Sequence, residues 1–385
     1  MTAWLEVLGV SAKLGLTSFG GPAAHLGYFH EEYINRRRWL DERSYADLVA
    51  LCQFLPGPAS SQVGIGIGML RAGWLGGIAA WLGFTLPSVI LLVLFALLMK
   101  GMNLAAAGWI HGLKMVAVAI VAQAVLSMGQ KLAPDRARMT LVVLAAAAAL
   151  FWQTPYSQVL IIAAAGGAGL WLYRHTADER PAAYSIRISR WAGACCLGIF
   201  LLLLVVLPLL RSSWASGSLA LFDSMYRSGS LVFGGGHVVL PLLEREVVPT
   251  GWVSENDFLA GYGVTQAIPG PLFTFAAYLG AVFGGIQGTV VATIGIFLPA
   301  FLLVAGALPF WNSLRSSPRV QGALLGINAA VVGLLLAALY DPLWTTTVRG
   351  AGDFALAAGL FVLLVFWKLP PWLVVLAGAA GGLLL

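Results

Sequence analysis

Two Pro-Gly-Pro triplets inside apolar runs, Pro56-Gly57-Pro58 and Pro269-Gly270-Pro271, are the residues of this sequence best placed to do chemistry. Proline removes a backbone donor and clashes with the preceding turn. Glycine takes up conformations that other residues avoid. A helix must break at each triplet and restart near Ala59-Ser60-Ser61 and near Leu272-Phe273-Thr274. Each restart leaves free N–H groups at the positive end of a helix dipole, a site for an anion. The plainer reading is a pair of packing kinks. Gln53 and Gln266, three residues before each first proline, could donate to a ligand or tie down the broken backbone.

A second pair of breaks follows Phe19 and Phe233, at Gly20-Gly21 and at Gly234-Gly235-Gly236. Such turns let N–H groups approach an oxyanion, although glycine also simply stops helices. Lys13 and Arg227 each lie six residues before those phenylalanines, inside apolar segments. A charge at membrane depth is costly and marks a pathway or a pairing, unless it snorkels to a headgroup. Together they could form a positive pair on an anion path, with Lys114 a third cation that has no partner in the other half. His25, His30 and His237 could move protons or satisfy loops. Glu31, Glu32, Glu244 and Glu246 read as partners of loop arginines. Trp39 and Trp252 read as interface anchors.

The elements that position these residues are apolar helices. Of 385 residues, 59% are hydrophobic and 10% charged, against about 25% charged in a soluble protein. The chain is therefore an all-α, polytopic membrane protein, with the lipid bilayer as its surroundings. Runs over 4–19, 46–70, 72–99, 104–129, 139–152, 157–173, 192–210, 217–233, 258–283, 285–311, 320–340, 353–367 and 371–385 are candidate spans, several shorter than the roughly 20 residues a straight crossing needs. Trp4 to Phe19 reads as the first membrane helix rather than a signal peptide.

An internal repeat organises the runs. Phe19-Gly20-Gly21, Trp39, Gln53, Pro56-Gly57-Pro58, Gly76, Leu86-Pro87 and Gly112 recur as Phe233-Gly234-Gly235, Trp252, Gln266, Pro269-Gly270-Pro271, Gly288, Leu298-Pro299 and Gly322. The organisation expected is a first transporter repeat over 1–173, a basic cytoplasmic linker over 174–190, an added membrane helix over 191–211 and a second repeat over 212–385. If each half crosses an even number of times, the added helix inverts the second half. A broken spanning helix at each triplet gives thirteen spans and inverted halves. A re-entrant hairpin there gives eleven spans and parallel halves. Arg36 to Arg38 favour the second by the positive-inside rule, and charge alone does not choose.

Motifs for other chemistries are missing. The sequence has no G-x-x-x-x-G-K-[ST] phosphate loop, and after His30-Glu31 a zinc-protease pattern fails at Ile34. Gly57-Pro58-Ala59-Ser60 is no nucleophile elbow. Cys52, Cys195 and Cys196 offer neither metal spacing nor a disulfide framework. The reading is a chain that is not an enzyme and carries no cofactor or metal. The net charge of +6 sits in loops, so it orients the chain in a bilayer rather than binding nucleic acid.

Phe19-Gly-Gly-Pro-x-x-His25, Gln53-Phe-Leu-Pro-Gly-Pro58 and Leu86-Pro87, with their copies Phe233-Gly-Gly-Gly-His237, Gln266-Ala-Ile-Pro-Gly-Pro271 and Leu298-Pro299, resemble the chromate ion transporter family over nearly the whole chain. The resemblance implies multi-pass insertion in a bacterial inner membrane, inverted halves, and chromate export conferring resistance. It also implies competition by sulfate, a similar tetrahedral dianion. The alternatives are another oxyanion as substrate, or a non-transporting scaffold or subunit. A homodimer is an arrangement the sequence allows. At Gly236 the second repeat departs from its own pattern, where the first has Pro22. The residues expected to hold the dianion are Lys13, Arg227, Gly20, Gly21, Gly234, Gly235, Gln53, Gln266, Pro56, Gly57, Pro58, Ser60, Ser61, Pro269, Gly270, Pro271 and Thr274.

Overall fold

A computed structural model describes residues 2–19, 21–99, 108–152, 157–173, 189–214, 216–232, 239–311 and 317–384. The linker, with Gly20 and 233–238 (hence Gly234, Gly235 and His237), lies outside them. Every regular element among the described residues is helical. Among the described residues, five helices are long and apolar enough to cross a membrane: Ala59–Met99, His111–Leu132, Arg190–Ser213, Leu272–Phe310 and Pro318–Thr347.

The chain forms two compact units, and each draws on both repeats. The first joins Met1–Met102 to Ala182–Asn312, and the second joins Asn103–Pro181 to Ser313–Leu385.

In the first unit, α1 (Ala3–Thr17) is shorter than a straight crossing needs. At 15 residues and 1.5 Å per residue it measures about 22 Å, short of a hydrocarbon core of roughly 30 Å. The chain then returns as α2 (Gly21–Phe29), which continues as a π-helical stretch, His30–Arg36. The Ser11 and Tyr33 hydroxyls meet at 3.1 Å, and Lys13 Nζ reaches Glu32 Oε2 at 3.0 Å. Those contacts fix an antiparallel hairpin. The apolar run 4–19 hides this reversal, because a hairpin arm and a span have the same composition.

A second hairpin follows. α3 (Glu42–Phe54) starts at Asp41, whose side chain accepts from the Ser44 N–H, and ends at Leu55 in extended backbone, as a residue before proline must. After Pro56-Gly57-Pro58 the chain returns as the first part of α4 (Ala59–Met99). A Cβ on Gly66 would lie 2.8 Å from Leu48 Cδ1, so the two arms pack antiparallel with the triplet at the tip. The helix then breaks at Ala72 and Gly73, with Gly73 at φ +63°. Gly68 and Gly76, either side of that break, touch backbone to backbone. Segment 74–99 is long enough to cross.

The second repeat builds the same parts. α8 (Arg190–Ser213) is the added helix. α9 (Gly217–Leu231) and α10 (Val239–Val247) are the arms that match α1 and α2. α11 (Glu255–Ala267) runs to Pro269-Gly270-Pro271. A 3-10 turn, Leu272–Thr274, then leads into α12 (Phe275–Ala307). The break recurs at Gly284 and Gly285, the latter at φ +58°, and Gly280 touches Gly288.

Equivalent helices of the two repeats run in opposite directions. Trp74 lies by Phe301 and Trp81 by Phe297, with ring centroids 6.2 and 6.0 Å apart. Residues ascending on α4 thus meet residues descending on α12, so the halves are inverted repeats. The hairpins at the triplets are nevertheless re-entrant. The two sequence schemes excluded that combination only because both let 4–19 cross.

The second unit has α5 (Gly108–Leu132), α6 (Arg136–Phe151), α7 (Ser157–Leu172), α13 (Pro318–Ala338), α14 (Ala351–Val365) and α15 (Pro371–Gly382). α13 packs on α6 and α7, and its counterpart α5 packs on α14 and α15. Glycines make the close approaches, Gly169 on Gly322 and Gly112 on Gly378, as expected for helices packed in lipid.

Candidate functional site

The hairpin tips meet in the first unit, and they meet crosswise between repeats. Gly57 N–H donates to the Val232 carbonyl at 2.6 Å, at the end of α9. Gly270 N–H donates to the Ser18 carbonyl at 2.9 Å, at the end of α1. Gly57 and Gly270 sit at φ +119° and +106°, backbone that L side chains rarely adopt. Pro58, Pro269 and Pro271 are buried. Irregular backbone of this kind survives at membrane depth only inside protein or beside a watery cavity.

Two side chains hold the tips that sequence reasoning passed over. Gln62 donates from Nε2 to the Pro56 carbonyl at 2.7 Å. It thus ties down the broken backbone, the role weighed for Gln53 and Gln266. Ser88 Oγ donates to the Pro269 carbonyl at 2.6 Å. Ser88 follows Leu86-Pro87, and that motif was the available signal; its counterpart in the second repeat is Ala300. Ser88→Ala leaves a buried carbonyl without its donor and should lower the stability of the purified protein by about 1–3 kcal/mol, read as a thermal melt in detergent.

The α4 N-terminus is open. The N–H groups of Ala59, Ser60 and Ser61 have no backbone acceptor among the described residues; the first bond of the new helix is from Gln62 N–H to the Pro58 carbonyl. Beside it, His25 Nδ1 lies 3.2 Å from Ser60 Oγ, and the imidazole packs edge-on to Phe84, centroids 5.4 Å apart. Ser60, Ser61 and Thr274 are buried. Thr274 Oγ1 donates to the Pro271 carbonyl. Gln53 is exposed and Gln266 half-buried. Gly21, at φ +79°, opens α2.

Lys13 and Arg227 occupy matching places, each with an acid beside it. Lys13 is 52% exposed and pairs with Glu32, whose side chain is 8% exposed. Arg37 and Arg36 also reach Glu32, at 3.0 and 3.4 Å. Burial works against the Glu32 charge, yet hydrogen bonds from Arg37, Lys13 and Arg36 hold its carboxyl below the usual range. Glu32 is therefore ionised at neutral pH. Arg227 lies 2.9 Å through each terminal nitrogen from a carboxylate oxygen of Glu246, and it also binds Asp223. Arg211 of α8 joins from the other side, 3.2 Å from Asp223 Oδ2, and its guanidinium lies 5.7 Å from the Trp252 ring. Glu32 and Glu246 stand at the same spacing, 214 residues, as Lys13 and Arg227. The cations are thus tied into hairpin arms instead of standing free. Lys13→Ala removes a half-exposed pair and should cost under about 1 kcal/mol.

Comparison with known proteins gives these tips a context. Residues 5–170 and 219–383 each match the family described as chromate transporter, one match per repeat. The chain is 31% identical over 385 residues to a chromate transport protein of Pseudomonas aeruginosa, covering 96% of this chain and 89% of that one. It is 27% identical to a probable chromate transport protein of Synechococcus elongatus, covering 96% and 92%. A chromate transport protein of Cupriavidus metallidurans is 24% identical over 85% of this chain and 79% of its own. No solved structure matches the chain.

Proposed function

The chain belongs to the chromate transporter family, and on that premise we propose that it is a secondary transporter exporting chromate across a bacterial inner membrane, a route to chromate resistance. The observation that carries the reading is the crosswise meeting of the tips, Gly57 N–H on Val232 and Gly270 N–H on Ser18. It gathers helix starts, with their positive dipole ends, where the chain leaves regular structure. A tetrahedral dianion there accepts from the N–H groups after Pro58 and after Pro271. Gln53 and Gln266, Gly20 with Gly21, and Gly234 with Gly235 flank that place in sequence. Lys13 and Arg227 act on the anion at longer range, through arms whose charge their acids balance. Rocking of one inverted repeat against the other exposes the site alternately. Sulfate, of the same shape and charge, competes.

Export needs no ATP. Moving one charge through 100 mV is worth about 2.3 kcal/mol, so a dianion leaving an inside-negative cell gains about 4.6 kcal/mol. In vesicles carrying the purified protein, an imposed potential of 100 mV should shift the chromate distribution more than about a thousandfold at equilibrium, and excess sulfate should slow the flux. Properly inserted protein that moves no oxyanion at any potential would instead favour a scaffold or subunit.

A further inference from the structure

The polar groups around the tips are distributed unequally between the repeats. His25 is 1% exposed, and its Nε2 has no hydrogen-bond partner among the described residues. The same holds for the hydroxyls of Ser18, Ser61 and Thr85, all buried. These residues share one neighbourhood. Ser61 follows Ser60, which touches His25 Nδ1. Thr85 follows Phe84, against whose ring the imidazole packs. The Ser18 carbonyl takes the Gly270 N–H. Buried polar groups nearly always have partners, and an unmade hydrogen bond costs roughly 1–3 kcal/mol. Four orphaned groups beside an open helix start are donors suited to a ligand with acceptor oxygens.

Among the described residues the second repeat keeps fewer such groups at its tip: Gln266 Nε2 is one, and His237, which stands for His25, lies outside them. At offsets of 212 to 214 residues, Val232 stands for Ser18, Phe273 for Ser60, Phe297 for Thr85 and Ala300 for Ser88. Thr274, which stands for Ser61, spends its hydroxyl on Pro271. Phe273 and Phe297 pack together, centroids 6.1 Å apart.

We propose, resting on the reading that the tips hold a tetrahedral dianion, that a first-repeat cage of His25, Ser18, Ser61 and Thr85 supplies side-chain contacts to it. Ser60 donates to His25 Nδ1, which leaves the neutral imidazole with its proton on Nε2 as a donor to one oxyanion oxygen. Ser18, Ser61 and Thr85 donate to the others, with the N–H groups of Ser60 and Ser61. No cation takes part in this cage. From the second repeat come Phe273, Phe297 and the helix start after Pro271.

Equilibrium binding of radiolabelled chromate to the purified full-length protein tests this. A hydrogen bond to a charged partner is worth roughly 1.5–3 kcal/mol, about ten- to a hundredfold in Kd. His25→Phe keeps the aromatic packing and removes the donor, so Kd should rise by that factor. His25→Gln, which restores an N–H donor, should recover most of it. Thr85→Val, near the same volume, should weaken binding about tenfold. Thr293→Val removes a buried hydroxyl that is already bonded to the Thr289 carbonyl, and should leave Kd unchanged. Wild-type binding with His25→Phe and Thr85→Val, both folded by thermal melt, within about twofold of it overturns this inference and leaves the transport reading standing. Wild-type protein that binds no chromate or sulfate overturns both.

Discussion

Alanine at Gly270 abolishes chromate transport. The residue sits at φ +106°, and a non-glycine residue in such a region costs roughly 1–3 kcal/mol. An added Cβ would also collide with Ser88 Oγ, so the tip must move. Movement breaks the Gly270 bond to Ser18 and the Ser88 bond to Pro269, each worth roughly 1 kcal/mol. The sum is about 3–5 kcal/mol against the working geometry, more than about a hundredfold in its population. Gly57→Ala follows the same logic, with Gln62 Nε2 at 2.9 Å from the new Cβ. Gly251→Ala is the control. It carries similar backbone strain, at φ +72°, with nothing within 4 Å, and should transport normally. The readout is flux per folded, inserted protein. Wild-type flux from both tip variants would remove the tips from the mechanism.

Arg227→Ala destabilises the protein by up to about 3–5 kcal/mol, the figure for removing one member of a buried ion pair. Asp223, 1% exposed, keeps only Arg211, and Glu246 loses its two-pronged contact. The thermal melt of the purified protein should fall sharply, and Asp223→Asn in the same chain should restore part of it. A substrate ligand predicts the reverse pattern, with weaker chromate binding and an unchanged melt. That pattern would return Arg227 to the anion path.

The sequence and the structure agree most closely where chemistry is local. Single prolines such as Pro87 and Pro299 are carried inside α4 and α12, but two prolines flanking a glycine stop a helix, so the breaks at 56–58 and 269–271 are legible residue by residue. The duplication follows from aligned motifs, because Trp39, Pro56 and Gly76 keep their spacing in the copy, whereas its inversion shows only in the antiparallel contacts of α4 with α12. Pairings made in space are not legible in this way. Nothing in 4–19 distinguishes a hairpin arm from a span, since α1 buries Val7, Val10 and Leu14 as a crossing helix would. Gln62 and Ser88 matter because of what the folding of distant segments brings to them. Lys13 and Arg227 looked like free cations because a run of apolar residues does not show which acid folds back on it. The equal spacing of Glu32 and Glu246 was the one clue.

Chromium supplies the most direct test of where the dianion sits. Crystals of the protein grown with chromate, measured at the chromium absorption edge, should show one anomalous peak at the four tips, within hydrogen-bond reach of the Ser60 and Ser61 N–H groups. A peak on Lys13 or Arg227 instead, or tips that stand apart with no chromium between them, would contradict the account.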